Sequence, residues 1–113
     1  MNFKIEEATI KNIKAALESG EITSKSLVLM YLERIAELDQ SGPSINSVLE
    51  LNPDVLFIAE ALDHERKATG SRGPMHGVPV LIKDNIDTHD KMHTSAGSLA
   101  LANSYAPADA FLV

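Results

Sequence analysis

The sequence contains no cysteine. That absence removes disulfides, thiolate nucleophiles and cysteine metal ligands together, and it leaves the redox compartment open. Basic residues are also in short supply: ten lysines and arginines stand against sixteen acidic residues, for a net charge of -6. The deficit is spread over both halves of the chain. Such a surface repels phosphate backbones and anionic lipid, so neither nucleic acid nor a membrane is the expected partner. Long apolar runs are missing as well. The opening stretch MNFKIEEATIKN carries charges where a signal peptide needs unbroken apolar residues, and no later run approaches membrane-spanning length. A cytoplasmic location is the expectation. There is no internal repeat and no low-complexity segment.

What is present fits one domain with a modest core: 113 residues, 44% of them hydrophobic, with a mean hydropathy of -0.04. Periodicity in the first half predicts three helices. Ile10, Ile13 and Leu17 fall at helical spacing behind Thr9 as an N-cap, and Gly20 follows as a stop. A second helix begins near Thr23 or Ser24 and carries Leu27, Tyr31, Ile35 and Leu38 on one stripe, until Ser41-Gly42-Pro43 breaks it. Asn52-Pro53-Asp54 opens the third, with a capping side chain, a proline suited to the first turn and an acid beside the positive end of the helix dipole. Val55, Ile58, Ala59 and Leu62 form its apolar face, and Gly70 ends it. Ser47 to Leu51 reads as a short strand.

From Gly70 onward glycine, proline and turn residues dominate, and within that region lies GVPVLIKDNID, Gly77 to Asp87. Pro79 lacks a backbone donor and suits the start of a strand, which leaves Val80, Leu81 and Ile82 as the strand proper. Consecutive apolar residues point to both faces of a sheet, so this strand should be covered on both sides, as in a parallel sheet with helices packed above and below. The predicted class is α/β, with a helical region over about 1–70 and a strand and loop region over about 71–113. Asp109 reads as an N-cap, with Phe111, Leu112 and Val113 as a first apolar turn that has no stop signal after it. The expectation is therefore a part of a larger fold, incomplete as given.

Lys83 stands at the carboxyl end of Val80–Ile82, where open parallel sheets bind their ligands. A lysine held there against apolar walls loses the hydration that favours its charged form, and a neutral amine can then activate a serine. The competing reading is a strand that ends on a charge reaching water, and spacing alone favours it. Elsewhere, His89 and His93 have the spacing of two metal ligands on a helix, but HDKMH lacks the glutamate of H-E-x-x-H and sits in a loop. Asp84, Asp87 and Asp90 lack the glycine and terminal glutamate of a calcium loop, so a solvated turn is the better reading. His76 has the reach to touch a substrate, but a bond to nearby backbone in the glycine-rich turn is the better reading. Asp84 and Asn85 are expected to hold partners around the lysine and are assigned no chemical step.

The segment GPMHGVPVLIKDNID, Gly73 to Asp87, closely resembles the lysine-bearing segment of the amidase signature family, which usually reads G-P-L-H-G-I-P-hydrophobic-x-hydrophobic-K-D-N. LESGEITSKSLVLMYLERI, AEALDHERKATG, TSAGSLAL and PADAFLV resemble the family's N-terminal region in the same order. Met75 in place of the usual leucine is a volume-conserving departure. The resemblance implies an α/β/α fold with a central mixed sheet, hydrolysis of the carbon–nitrogen bond of small-molecule amides, and a Ser-Ser-Lys catalytic set in which Lys83 is the base. No cofactor and no metal are expected. The serines belong to a segment resembling G-G-S-S-G-G, which this sequence does not contain; TSAGS, Thr94 to Ser98, is neither that segment nor a G-x-S-x-G elbow. The chain is thus expected to carry the base without the nucleophile and to be inactive alone. The amidase subunit of a transfer-RNA amidotransferase, a non-catalytic subunit that retains an enzyme segment, and a small adaptor are the other readings. Neither the particular amide nor the oligomeric state follows from these residues.

Overall fold

A computed structural model describes residues 3–113. The chain divides into two compact units. The first comprises the chain up to Ser47 together with Val55–Pro79, and the second comprises Val48–Asp54 with Val80–Val113.

The first unit is helical. Helix α1 spans Ile10–Ser19 and α2 spans Ser24–Arg34, and each opens with a reciprocal capping box. The Thr9 side chain accepts from the Asn12 amide while Asn12 reaches back to the amide of Thr9. Thr23 and Ser26 repeat the arrangement on α2. Each such cap contributes about 1 kcal/mol by satisfying N–H groups that the helix itself leaves unpaired. Gly20 closes α1 in the left-handed region, at φ +79°, and donates to the Leu17 carbonyl. Ile13, Ala16 and Leu17 of α1, with Ile22 and Leu27, form the core, against which Phe3, Ala8, Met30, Tyr31 and Val78 pack.

Helix α2 runs on into one π-helical turn, Ile35–Asp39, in which the Gln40 amide bonds the Ile35 carbonyl five residues back. The Ser41 hydroxyl donates to the Ala36 carbonyl over the same interval, 2.6 Å. The end of this helix is tied down by Asp39, whose carboxylate accepts the Ser47 amide at 2.7 Å and the Ser47 hydroxyl in a short contact.

Helix α3 spans Val55–Thr69 and starts later than the Asn52-Pro53-Asp54 signal suggests. The Asn52 side chain accepts from the Asp54 amide at 2.9 Å, the bond expected of a capping side chain at this end of the helix. Of its expected apolar face only Ala59 is buried, and Ile58 is exposed. The helix closes as expected at Gly70, φ +82°. Asp63 on α3 reaches the N-terminus of α2, where its two carboxylate oxygens accept the Ser24 amide at 2.7 Å and the Lys25 amide at 3.1 Å. A carboxylate there meets both the open N–H groups and the positive end of the α2 dipole.

Three sequence-based expectations differ from the structure. Among the described residues there is no strand, neither at Val80–Ile82 nor at Ser47–Leu51. Val80, Leu81 and Ile82 are 64%, 78% and 41% exposed, so the predicted buried strand is not buried. A strand is defined by the ladder on its flanks, and no neighbouring segment supplies one here. At the C-terminal end, the Asp109 carboxylate accepts the His89 amide at 2.6 Å rather than capping a helix, and Phe111 is fully exposed. A 3-10 turn at Leu99–Leu101 was not legible from periodicity. No helix among the described residues is long and apolar enough to cross a membrane.

The tightest approach in the first unit is that of Gly77 to Ser24. A Cβ built on Gly77 would lie 1.9 Å from Ser24 Oγ and 3.1 Å from Ser24 Cβ, and Gly77 sits at φ +80°. Ser24 is fully buried, and its hydroxyl has no hydrogen-bond partner among the described residues. Gly77→Ala is expected to destabilise the first unit through overpacking, about 1–3 kcal/mol, and through left-handed strain, about 1–2 kcal/mol. Ser24→Ala should be close to neutral because it deletes an unpaired hydroxyl, and combined with Gly77→Ala it should recover the overpacking share. Urea unfolding of the two single variants and the double variant checks this. A double variant no more stable than Gly77→Ala alone would show that Ser24 is not the obstacle.

Candidate active site

The residues singled out by the sequence fall in both units. In the first, His76 is buried, and its ring is held on both nitrogens. Nε2 lies 2.9 Å from the Leu62 carbonyl, and Nδ1 lies 3.3 Å from the Arg72 amide. A carbonyl only accepts, so Nε2 carries a hydrogen, while Nδ1 faces both the Arg72 amide and the Glu65 carboxylate, 3.4 Å away. The Arg66 guanidinium donates to the His76 carbonyl at 2.9 Å, and Arg72 pairs with Glu65 at 2.7 Å. His76 thus fastens the GPMHG turn to α3 through backbone bonds. An open groove of about 520 Å³ lies on α3, lined by Phe57, Glu60, Ala61 and His64, and holds none of the sequence-predicted site residues.

The second unit holds Lys83. Its side chain is exposed, so the apolar walls expected from the sequence are not present around it among the described residues. Its carbonyl accepts from the Ile86 amide at 3.0 Å, which starts a turn immediately after the lysine. Asp84, next in the chain, is bound on both its side chain and its backbone. The carboxylate accepts the Ser95 amide at 3.3 Å and the Ser95 hydroxyl in a short contact, and the carbonyl accepts the Ala96 amide at 3.0 Å. Ala96 and Gly97 both have positive φ, +49° and +74°. Successive residues in such a turn aim their amides into one concavity suited to an anion. The Ser95 hydroxyl holds the Asp84 carboxyl below its ordinary range, the amides of Ser95, Gly97 and Ala96 add to that, and desolvation opposes it.

The remaining sequence candidates are separated. His89 Nδ1 lies 2.9 Å from the Ala106 carbonyl. His93 Nδ1 lies 3.0 Å from Glu50, and its ring packs on Tyr105 with centroids 4.4 Å apart. No group of three potential metal ligands is assembled among the described residues. Asp90 is occupied by the Thr88 hydroxyl and the Met92 amide, and the Asp87 carbonyl accepts from Ala110. The Asp84 carboxylate finds its partner in Ser95, within a TSAGS stretch that matches no nucleophile motif.

The family model described as Amidase matches residues 26–113, more than half of the sequence. The chain belongs to the amidase family. It is 46% identical over 112 residues to a protein of Schizosaccharomyces pombe that carries the name amidase, covering 99% of this chain and 19% of that protein. It is 37% identical over 107 residues to a glutamyl-tRNA(Gln) amidotransferase subunit of Alkalilimnicola ehrlichii, covering 95% of this chain and 21% of that one. Among solved structures, a peptide amidase crystallised with the competitive inhibitor chymostatin superposes with a TM-score of 0.91 at 46% identity, over 97% of this chain and 22% of that one. The chain therefore spans about a fifth of the length of these amidases. Its fold is that of the corresponding part of an amidase signature protein.

The Asp84–Ser95 contact makes a prediction that does not depend on activity. Removing the hydroxyl in Ser95→Ala should move the Asp84 titration up, toward the ordinary value of about 3.9. Because the folded-state value is depressed, the stabilisation from this contact is present above the unfolded-state value and is lost as pH falls through the folded one. Ser95→Ala should therefore weaken the turn above about pH 4 and change little in stronger acid. Carboxyl-resolved NMR titration of Asp84 in both forms is the check, and an unmoved Asp84 titration would refute the assignment.

Proposed function

We propose that the chain supplies the general base of an amide hydrolase that cleaves a carbon–nitrogen bond through a Ser-Ser-Lys set, and that Lys83 is that base. The observation that supports the reading is GPMHGVPVLIKDN in a chain belonging to the amidase family. In this chemistry one serine attacks the amide carbonyl, and its proton passes through a second serine to the neutral amine of Lys83. The resulting ammonium returns the proton to the departing nitrogen as the carbon–nitrogen bond breaks. Water then releases the acyl group from the serine by the same relay in reverse. The serines and oxyanion donors reside on a further segment of an amidase domain of which residues 1–113 form the N-terminal part.

In that domain Val80–Ile82 joins a mixed sheet as a strand, and its present exposure reflects unpaired flanks. The substrate is a small amide or a peptide amide, the class implied by the relatives' names; nucleic acid and membrane have no role in binding it, and the domain works in the cytoplasm. Membership in a transfer-RNA amidotransferase is the second reading. The higher identity to amidases, 46% against 37%, favours the free-standing hydrolase.

Two outcomes are expected. The 113-residue chain alone should not turn over aryl or alkyl amides, since a base without nucleophile or oxyanion donors supplies only a factor of about 10² to 10⁴. Lysine-dependent turnover by the purified chain would overturn that. In the full-length polypeptide, Lys83→Ala and Lys83→Arg should both lose most of kcat. Arginine keeps the charge and much of the length, but its pKa above about 12 prevents it from taking the serine's proton. If Lys83 only attracted substrate, Lys83→Arg would keep its kcat and the loss would fall on KM. A folded Lys83→Arg enzyme with near wild-type kcat rules out the general-base role.

A further inference from the structure

The backbone around Lys83 is held from one side. Among the described residues no backbone hydrogen bond is made by Val80, Leu81 or Ile82, whereas every attachment near the lysine follows it in the chain. The Lys83 carbonyl takes the Ile86 amide, the Asp84 carbonyl takes the Ala96 amide, and the Asp84 carboxylate takes the amide and hydroxyl of Ser95. Asp84 and Ser95 are both half-buried. The turn that receives Asp84 is itself closed by the Ser98 amide on the Ser95 carbonyl, 2.8 Å, and holds Ala96 at a positive φ that a residue with a Cβ adopts only when its surroundings require it.

We propose that Asp84 and Ser95 form a latch that positions the Lys83 amine for proton transfer, with Asp84 acting as a positioning residue and not as a proton carrier. This rests on the general-base reading of Lys83 and specifies what sets the geometry of that base. A hydroxyl donating to a carboxylate is among the stronger neutral-to-charged hydrogen bonds. Here it joins residues eleven apart in sequence, closing a loop whose N-terminal end carries the lysine. The carboxyl is held in its charged form below its ordinary range by the Ser95 hydroxyl, so the latch stays closed throughout the pH range in which a neutral amine can act. Asp84 needs no contact with substrate for its loss to be felt, because a displacement of about 1 Å in a reacting group costs on the order of 10²-fold in rate.

The test uses the full-length polypeptide and a small aryl amide, with kcat and KM measured separately and folded enzyme verified by its thermal midpoint. Ser95→Ala and Asp84→Ala should each lower kcat by about 10- to 100-fold with KM within about twofold, and their double variant should be no slower than the slower single, because the two residues act as one unit. Ser95→Thr, which restores the hydroxyl, should recover most of kcat. A purely structural role would lower the midpoint and leave kcat of the folded enzyme intact, and that result overturns the latch. So does a loss confined to KM, or a double variant whose loss is the product of the singles. If Asp84→Ala does not fold, Ser95→Ala and Ser95→Thr decide alone. Lys83→Ala is assayed in parallel to separate the two ideas. An active Lys83→Ala enzyme removes the base reading, whereas an inactive Lys83→Ala enzyme beside a fully active Ser95→Ala enzyme removes the latch and leaves the base in place.

Discussion

The first unit depends on what happens at the first turn of α2. That turn presents amides that no helix can satisfy internally, and Asp63 from α3 takes two of them. A carboxylate in that position contributes about 0.3–1 kcal/mol, rising toward about 2 kcal/mol where partly buried. Its larger effect is on geometry. It fixes which part of α3 faces α2, and the same turn places the buried Ser24 where only a glycine can approach. Gly77 fills that place, and His76 beside it is bound to the Leu62 carbonyl one residue before Asp63. One acid on α3 therefore aligns α2, and the neighbouring peptide of the same helix receives the turn that leads toward the lysine segment.

The legible parts of the fold were those written in local chemistry. Thr9 and Gly20 bracket α1, and Thr23 opens α2, because capping and left-handed closure need only residues within a few positions of one another. At α3 the Asn52 side chain caps by accepting the Asp54 amide, and the regular helix begins at Val55. The π-helical turn after Arg34 gave no periodic signal. It is drawn out by the interval-of-five bonds to the Ile35 and Ala36 carbonyls, with Gly42 needed close to the Glu37 carbonyl. Val80–Ile82 failed as a buried strand because burial and pairing are properties of neighbours, and apolar residues state only that neighbours are wanted.

The candidate site divides in the same way. Lys83 is singled out by the resemblance of its segment alone; charge and spacing favour a solvated lysine, and its side chain is exposed. Asp84 was expected to hold a partner, but its identity was not. Ser95 lies across a loop, and its hydroxyl has no sequence pattern that separates an anchor from an idle surface serine. His89 and His93 show the converse: a spacing that suggests a metal in a helix means nothing in a loop, where Ala106 and Glu50 draw the two rings to different partners.

The exposed run Val80–Leu81–Ile82 also bears on self-association. Three apolar residues, two of them β-branched, with bare backbone on both flanks are a template for pairing with the same run in another molecule. The run is bounded on one side by Pro79, which cannot donate to an added strand, and on the other by the charged pair Lys83 and Asp84, whose burial in a stack of like chains would be costly. Three residues are fewer than the five to seven that self-assembling segments typically need. The residue proposed for proton transfer thus also marks the limit beyond which sticky backbone does not extend, so a substitution of Lys83 by an apolar residue would lengthen the run.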